Sequence, residues 1–418
     1  MKTIEIIGGG TVSHVRNHLA LTAPAYGNTA RKLKEMLNDN SDYFNYKVNL
    51  HLTKMANSGN SKLETNQDIS DLVDNLIDNQ DTKIIIFNPA LVDFNGNIQE
   101  LLCSTESGKY ATRLKTSDGN KTLLLTPTDK IIGKIRKVRK DIFLVGFKTT
   151  CGASEDEQFL SGLNLLKTNS CNLVLANDTK TRVNMIITPE QARYSVSTNR
   201  DKVLSDLLFM AVNRSKGVFT RSTIIKSDPV NWNDEKVHSN LRDVVNFCIK
   251  KGAYKPFNGS TVGHFAIKLN ENQFLTSRRK TNFNNLNEVG LVAIDSYDAN
   301  TVIAYGSAPS VGAQSQRIIF KEHADSEFIV HFHCPPKKDS SLSVRSQTLV
   351  ECGSHQCGQN TSDGLKETYV PGLKCVYLDK HGPNLVFNKE TDADLVIKFI
   401  EDNFDLSLST DEVNRNIL

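Results

Sequence analysis

Two rhythms of apolar and polar positions divide the chain. From its start to about residue 212, short β-branched apolar runs alternate with amphipathic helical patterns. TIEIIGGG, DTKIIIFNPALVDF, KDIFLVGFKTT and SCNLVLANDTKT read as strands, with ARKLKEMLND and DISDLVDNLIDN as helices between them. This alternation predicts a parallel sheet with helices on both faces. Ligands of such sheets lie beyond the carboxyl ends of the strands, where the glycine and Asn/Asp turns fall. Residues 213–235 break the rhythm, carry the only Trp and read as a connection. Beyond them SNLRDVVNFCIKKGAY predicts a helix stopped by Gly252, and STVGHFAIKLNENQFLTSRR a hairpin turning at Asn270, Glu271 and Asn272.

Composition narrows the class. At 418 residues, with 39% hydrophobic and 23% charged positions, the chain is long enough for two domains with full cores. A net charge of +3 with scattered basic residues argues against an extended nucleic-acid groove; only KIIGKIRKVRK at 130–140 is dense enough to meet a phosphate-bearing small molecule. No run of 18 or more apolar residues appears, and MKTIEIIGGG has no signal-peptide pattern, so a cytoplasmic protein away from membranes is expected. Eight dispersed cysteines are expected to be reduced thiols.

Two clusters suggest chemistry. The Gly8–Gly10 loop after the first strand allows backbone amides to approach a phosphate, or is a tight turn with no ligand; its spacing fits neither the dinucleotide fingerprint nor the P-loop. In EFIVHFHCPP, His331 and His333 stand at i and i+2 of a strand-like run and so share a face. Such a pair is often only a wet polar face. A third histidine, His381, ends the apolar run LKCVYLDKHGPNLVF, and three imidazoles plus water form a common zinc sphere. Cys334 adjoins His333, and Cys352, His355 and Cys357 offer a second metal cluster or ordinary buried and loop cysteines.

In sequence and order, GGGT, PALVDF, RLKTSDGNKTLLLTPTDKI, FLVGFKTT and LVLAND resemble the phosphopantothenate-cysteine ligase domain, over residues 1–212. The resemblance implies a Rossmann-like three-layer fold that uses CTP or ATP with magnesium to activate a carboxylate for attack by an amine. Gly9, Gly10, Thr11, Asp93, Phe147, Ala176 and Asp178 match its nucleotide-side positions. Lys115 and Asn177 match catalytic ones, Lys115 neutralising phosphate charge in the transition state. Two positions depart from the pattern: Ala20 stands where the family has an Asn that stabilises the acyl-nucleotidyl intermediate, and Asn169 where it has a lysine, with Lys167 two residues away.

Residues 236–418 form the second expected domain, and NGSTVGHFAIKL, FLTSRRK, APS, HFHCPP and DKHGP resemble the class II aldolase and adducin family. That resemblance implies an α/β/α fold in which His331, His333 and His381 hold zinc or another divalent transition metal as a Lewis acid. Here too the sequence departs. Gly312 replaces the glutamate that serves the aldolases as acid and base, with Glu322 and Glu327 out of register. His264, Ala266 and Arg279 alter the phosphate loops, though Arg278 and Arg279 remain possible phosphate ligands. The functions to weigh are a fused ligase and zinc aldolase-like enzyme related to coenzyme A biosynthesis, a metal-dependent lyase, epimerase or dehydratase with a merely nucleotide-binding first half, and a non-catalytic adducin-like assembly protein. Small-molecule substrates and a homo-oligomer are expected in the enzymatic cases.

Overall fold

The computed structural model describes residues 1–57, 60–99, 107–296 and 301–411. It forms two compact α/β units, one of residues 1–189 and 193–215, the other of residues 190–192 and those from 216 onward.

The first unit is built on a seven-stranded sheet in the order Arg193–Ser197, Asn184–Ile187, Leu173–Asp178, Phe143–Thr150, Thr82–Ala90, Thr3–Gly10, Lys47–Leu52. The last five run parallel; four of them are the runs that the strand-helix alternation predicts, and the fifth, the edge strand Lys47–Leu52, is an addition to it. Every residue of Thr3–Gly10 is buried, which a strand covered on both faces requires. The chain adds its second strand on one side of Thr3–Gly10 and its third on the other. With the right-handed crossovers usual for parallel strands, such an order puts the intervening helices on opposite faces and places the reversal of strand order at the carboxyl ends of Thr3–Gly10 and Thr82–Ala90. Accordingly helices Asn28–Asp39 and Arg200–Arg214 pack together, while Asn66–Asp78, Ile132–Val138 and Glu155–Asn169 form the other row. Two of these start with reciprocal caps, Thr65 with Asp68 and Ser154 with Glu157. The strands Asn184–Ile187 and Arg193–Ser197 extend the sheet antiparallel, an addition that the expected all-parallel sheet lacks.

The second unit carries a mainly antiparallel sheet ordered Arg221–Ile225, Thr301–Tyr305, Leu291–Asp295, Gln273–Ser277, His264–Lys268, Phe328–His331, Gly382–Phe387, Leu373–Leu378, Val344–Arg345. The hairpin turning at Asn270–Asn272 joins His264–Lys268 to Gln273–Ser277. The segment 213–235 is more than a tether: Arg221–Ile225 pairs in parallel with Thr301–Tyr305, and Trp232 is buried against Phe265.

Side-chain alternation divides the core of this unit. Phe265, Val330, Phe332, Leu385 and Phe387 face helices Ser239–Lys250 and Ala393–Asn403, whose Val244, Val245, Val396 and Ile400 join the same cluster. Ala266, Ile329, Val376 and Val386 face the other way, with Ile319 and Phe320 of helix Ala313–Glu322; helix His355–Gly364 packs beside that helix. Among the described residues no helix is long and apolar enough to cross a membrane.

Candidate functional site

His331 ends strand Phe328–His331, and the extended chain continues through His333. Alternation sends Phe332 and Cys334 into the core cluster on one face and both histidines to the other. His381 arrives in the turn between Leu373–Leu378 and Gly382–Phe387. That turn lies hard against the extended segment: at Gly382, with φ of 136°, a Cβ would fall 2.1 Å from the Phe332 carbonyl oxygen. Only glycine tolerates both the conformation and the approach. The outcome is three buried rings with centroids 4.7 to 4.9 Å apart and one nitrogen from each within 4.8 Å of the others. Among the described residues this is the only such group.

The proton on His331 is fixed. Its Nδ1 lies 2.7 Å from the Pro383 carbonyl, an acceptor only, so Nδ1 carries the hydrogen and Nε2 the lone pair. Burial pushes His331 down to about 4, partly offset by that hydrogen bond, so the ring is neutral at pH 7. Its Nε2 is buried and has no hydrogen-bond partner among the described residues, a state that costs about 1–3 kcal/mol when nothing else is bound. A neutral imidazole with an orphaned, buried lone pair, grouped with two more imidazoles, suits a borderline divalent ion.

His264, opposite His331 in the strand register, stacks on it at 4.6 Å and meets Gln316 Nε2 through Nδ1 at 2.9 Å. Burial, then the neighbouring His331, holds His264 well below the usual imidazole range. A Cβ at Gly312 would fall 2.1 Å from both Cδ2 and Nε2 of the His264 ring. The two departures from the aldolase pattern are therefore one interlock: the imidazole fills the space a side chain at 312 needs. The alternative glutamates are engaged elsewhere, Glu322 with Ser362 and Gln359, Glu327 with the Lys389 backbone. Arg278 is held by Ser307 and the Val289 carbonyl.

Cys334 departs from expectation, while Cys357 is the ordinary buried cysteine. Cys334, expected to sense the metal, points to the Ala253 carbonyl on the opposite face, because adjacent residues of an extended chain alternate. Cys357 is buried with Gln347 and Ser315, and His355 meets Thr220. The cysteine that approaches the histidines is Cys352, with Sγ 3.7 Å from His381 Nε2. No sequence spacing signals it.

In the first unit Gly9, Gly10 and Thr11 lie at the carboxyl edge of Thr3–Gly10, and Asn177 and Asp178 end Leu173–Asp178, two strands beyond the neighbouring Thr82–Ala90. Each has a packing role as well. Added Cβ atoms would strike Thr53 at Gly9 and the Ala23 carbonyl at Gly10. The buried Thr11 hydroxyl joins Asn66 Oδ1 at 2.6 Å and accepts from the Val92 amide. Asp178 accepts from the amides of Lys180, Thr181 and Ala153 and the hydroxyl of Thr150; these bonds, led by Thr181, hold its carboxyl well below the usual range. Ala176 is buried, Phe147 half-buried, and Asn177 accepts from Thr149 at 3.3 Å. Asp93 pairs with Lys130 at 2.6 Å. Lys115 is exposed between strands Phe94–Gln99 and Thr122–Pro127, and its side chain has no ion pair among the described residues. Ala20 lies opposite His14 in a separate hairpin. The basic 130–140 segment is tied down locally, Lys134 to Asp74, Arg136 to Asn172 and Arg139 to Asp141.

Residues 243–385, about a third of the chain, match the family profile of the Class II Aldolase and Adducin N-terminal domain. No curated protein sequence matches the chain. Among solved structures, a DNA/pantothenate metabolism flavoprotein from Streptococcus pneumoniae is 19% identical, with a TM-score of 0.42 over 51% of this chain and 98% of that one. The C-terminal domain of the coenzyme A biosynthesis bifunctional protein CoaBC is 14% identical, at 0.36 over 50% and 93%. An L-fuculose 1-phosphate aldolase is 14% identical, at 0.30 over 38% and 80%. TM-scores this low carry no argument about activity.

Two outcomes follow from the geometry. Metal-free protein loses stability as pH falls from about 6.5 toward 4: the unfolded chain protonates His331 in that window and the folded one resists, a contribution on the order of 3 kcal/mol for this residue. Urea titrations of wild type and His331→Phe across that range measure it; equal pH slopes would refute the buried neutral ring. Gly382→Ala costs upwards of about 3 kcal/mol and disperses the three histidines. Gly252→Ala, where φ is 70° but nothing lies within 4 Å of the added Cβ, costs only about 1–2 kcal/mol.

Proposed function

We propose that the chain is an enzyme whose second unit holds a catalytic divalent metal at His331, His333 and His381 and acts there on a small hydroxy or oxo compound. The observation that carries this reading is His331: a buried ring, neutral at pH 7, whose tautomer is set by Pro383 and whose remaining lone pair is directed to no protein group described. Zinc, or a similar ion, would supply Lewis-acid polarisation of a carbonyl or enediolate oxygen. The chain's own residues orient the rings and exclude water, through Pro383 on His331 and the stack of His264. Position 312 supplies no acid or base, and His264 fills its space, so the reaction differs in its proton transfer from that of the aldolases the sequence resembles.

For the first unit we infer CTP or ATP binding with magnesium at the carboxyl edge of the parallel sheet. Support comes from the strand order, which reverses beside Thr3–Gly10, and from the ligase-like motifs that end there at Gly9, Gly10, Thr11 and Asn177. Lys115, free of ion pairs among the described residues, is available to meet phosphate oxygens. Ala20 offers no amide to an acyl-nucleotidyl intermediate, so binding with a different acceptor fits better than unchanged phosphopantothenate-cysteine ligation.

A small hydroxamate that mimics an enediolate is expected to raise the melting temperature of zinc-loaded protein and leave metal-free protein unchanged. Equal shifts in both forms, or in neither, would contradict a catalytic centre and favour a non-catalytic adducin-like role. For the first unit, millimolar CTP or ATP with magnesium raises the melting temperature, and Lys115→Ala removes most of the gain; no shift with either nucleotide would overturn that reading.

A further inference from the structure

The loop that precedes helix His355–Gly364 brings a sulfur to the histidines. Ser354 caps that helix, its hydroxyl accepting from the Cys357 amide, and Gly353 packs so closely on Val311 that an added Cβ would lie 2.4 Å from Val311 Cγ1. The loop is thereby held against the Val311–Gly312 turn, on the side where position 312 lacks a side chain. It leaves Cys352 only partly buried, with Sγ 3.7 Å from His381 Nε2.

That separation has a coordination meaning. In a tetrahedral zinc site with Zn–S of about 2.3 Å and Zn–N of about 2.0–2.1 Å, the edge between sulfur and nitrogen is about 3.6 Å. The Cys352–His381 distance of 3.7 Å is close to that edge, with Cys352 standing beside a group that itself comprises the three histidines. The neighbouring group supplies an independent observation: His331, whose Nε2 is buried and unpartnered among the described residues, is one of the three histidines with a nitrogen each gathered within 4.8 Å.

We propose that Cys352 is the fourth protein donor of the resting metal centre, giving a His3Cys set in which the thiolate closes the position a substrate oxygen must take. This rests on the proposed three-histidine site. Binding converts the Cys352 thiol to thiolate with release of its proton to solvent, and forms a metal–sulfur bond in place of the thiol–imidazole contact. A closed resting sphere means that an incoming oxygen ligand must displace sulfur, which makes the 350–354 loop the element that admits substrate.

The test uses the full chain loaded with cobalt and, separately, with zinc. Wild-type cobalt protein is expected to show ligand-field bands together with a near-ultraviolet thiolate-to-cobalt charge-transfer band. Cys352→Ser loses the charge-transfer band, keeps the ligand-field bands and binds cobalt at least about 10-fold more weakly. Zinc-edge X-ray absorption on wild type finds one sulfur at about 2.3 Å, a measurement independent of how any variant folds. Cobalt bound with ligand-field bands but no charge-transfer band, no sulfur scatterer in the zinc protein, or a band unchanged in Cys352→Ser, would overturn the role of Cys352 and leave the three histidines standing. Failure of wild type to bind either metal would overturn both.

Discussion

The second unit depends on one close approach, the turn before Gly382 against the backbone of Phe332 and His333. Without it the extended segment presents only a pair of histidines, and His381 belongs to a different hairpin. The approach forbids any side chain at 382 and registers Gly382–Phe387 beside Phe328–His331, which puts the Pro383 carbonyl on His331 Nδ1. One backbone contact thus assembles three rings and sets the proton on one of them.

This arrangement runs against folding economy. Buried imidazoles packed on one another lose hydration, and the lone pair on His331 Nε2, buried without a partner among the described residues, is a cost the hydrophobic clusters must offset. Proteins retain such features where something else uses them. The interlock of His264 with Gly312 belongs to the same logic. A Cβ at 312 would meet the His264 ring in this backbone, so the ring that stacks on His331 occupies the space a side chain at 312 needs.

Much of this was legible in the sequence. Strand-helix alternation predicts four of the five parallel strands and misses Lys47–Leu52, an edge strand with no fully buried residue and no apolar run; the i, i+2 rule places His331 and His333 on one face because it depends only on local backbone geometry. The third histidine could be anticipated because its apolar run ends in a turn. The same rule, applied to Cys334, would have placed it on the far face; proximity in sequence misleads in an extended chain. What escaped was set by tertiary packing: Cys352 reaches His381 across 29 residues, His264 meets Gly312 across strand and helix, and Arg221–Ile225 finds a partner at Thr301–Tyr305. In the first unit the glycines and Asp178 match ligand-binding motifs, yet each also answers a packing or hydrogen-bonding demand, so motif and scaffold cannot be separated by spacing alone.

The most direct test of the central claim, that these three histidines are a metal centre, is a calorimetric titration of zinc into chelator-stripped full-length chain. Wild type is expected to bind about one ion per chain and His331→Ala to lose it, while the parallel-sheet unit of that variant stays folded. No binding by wild type, or binding of the same strength and stoichiometry in His331→Ala, would contradict it.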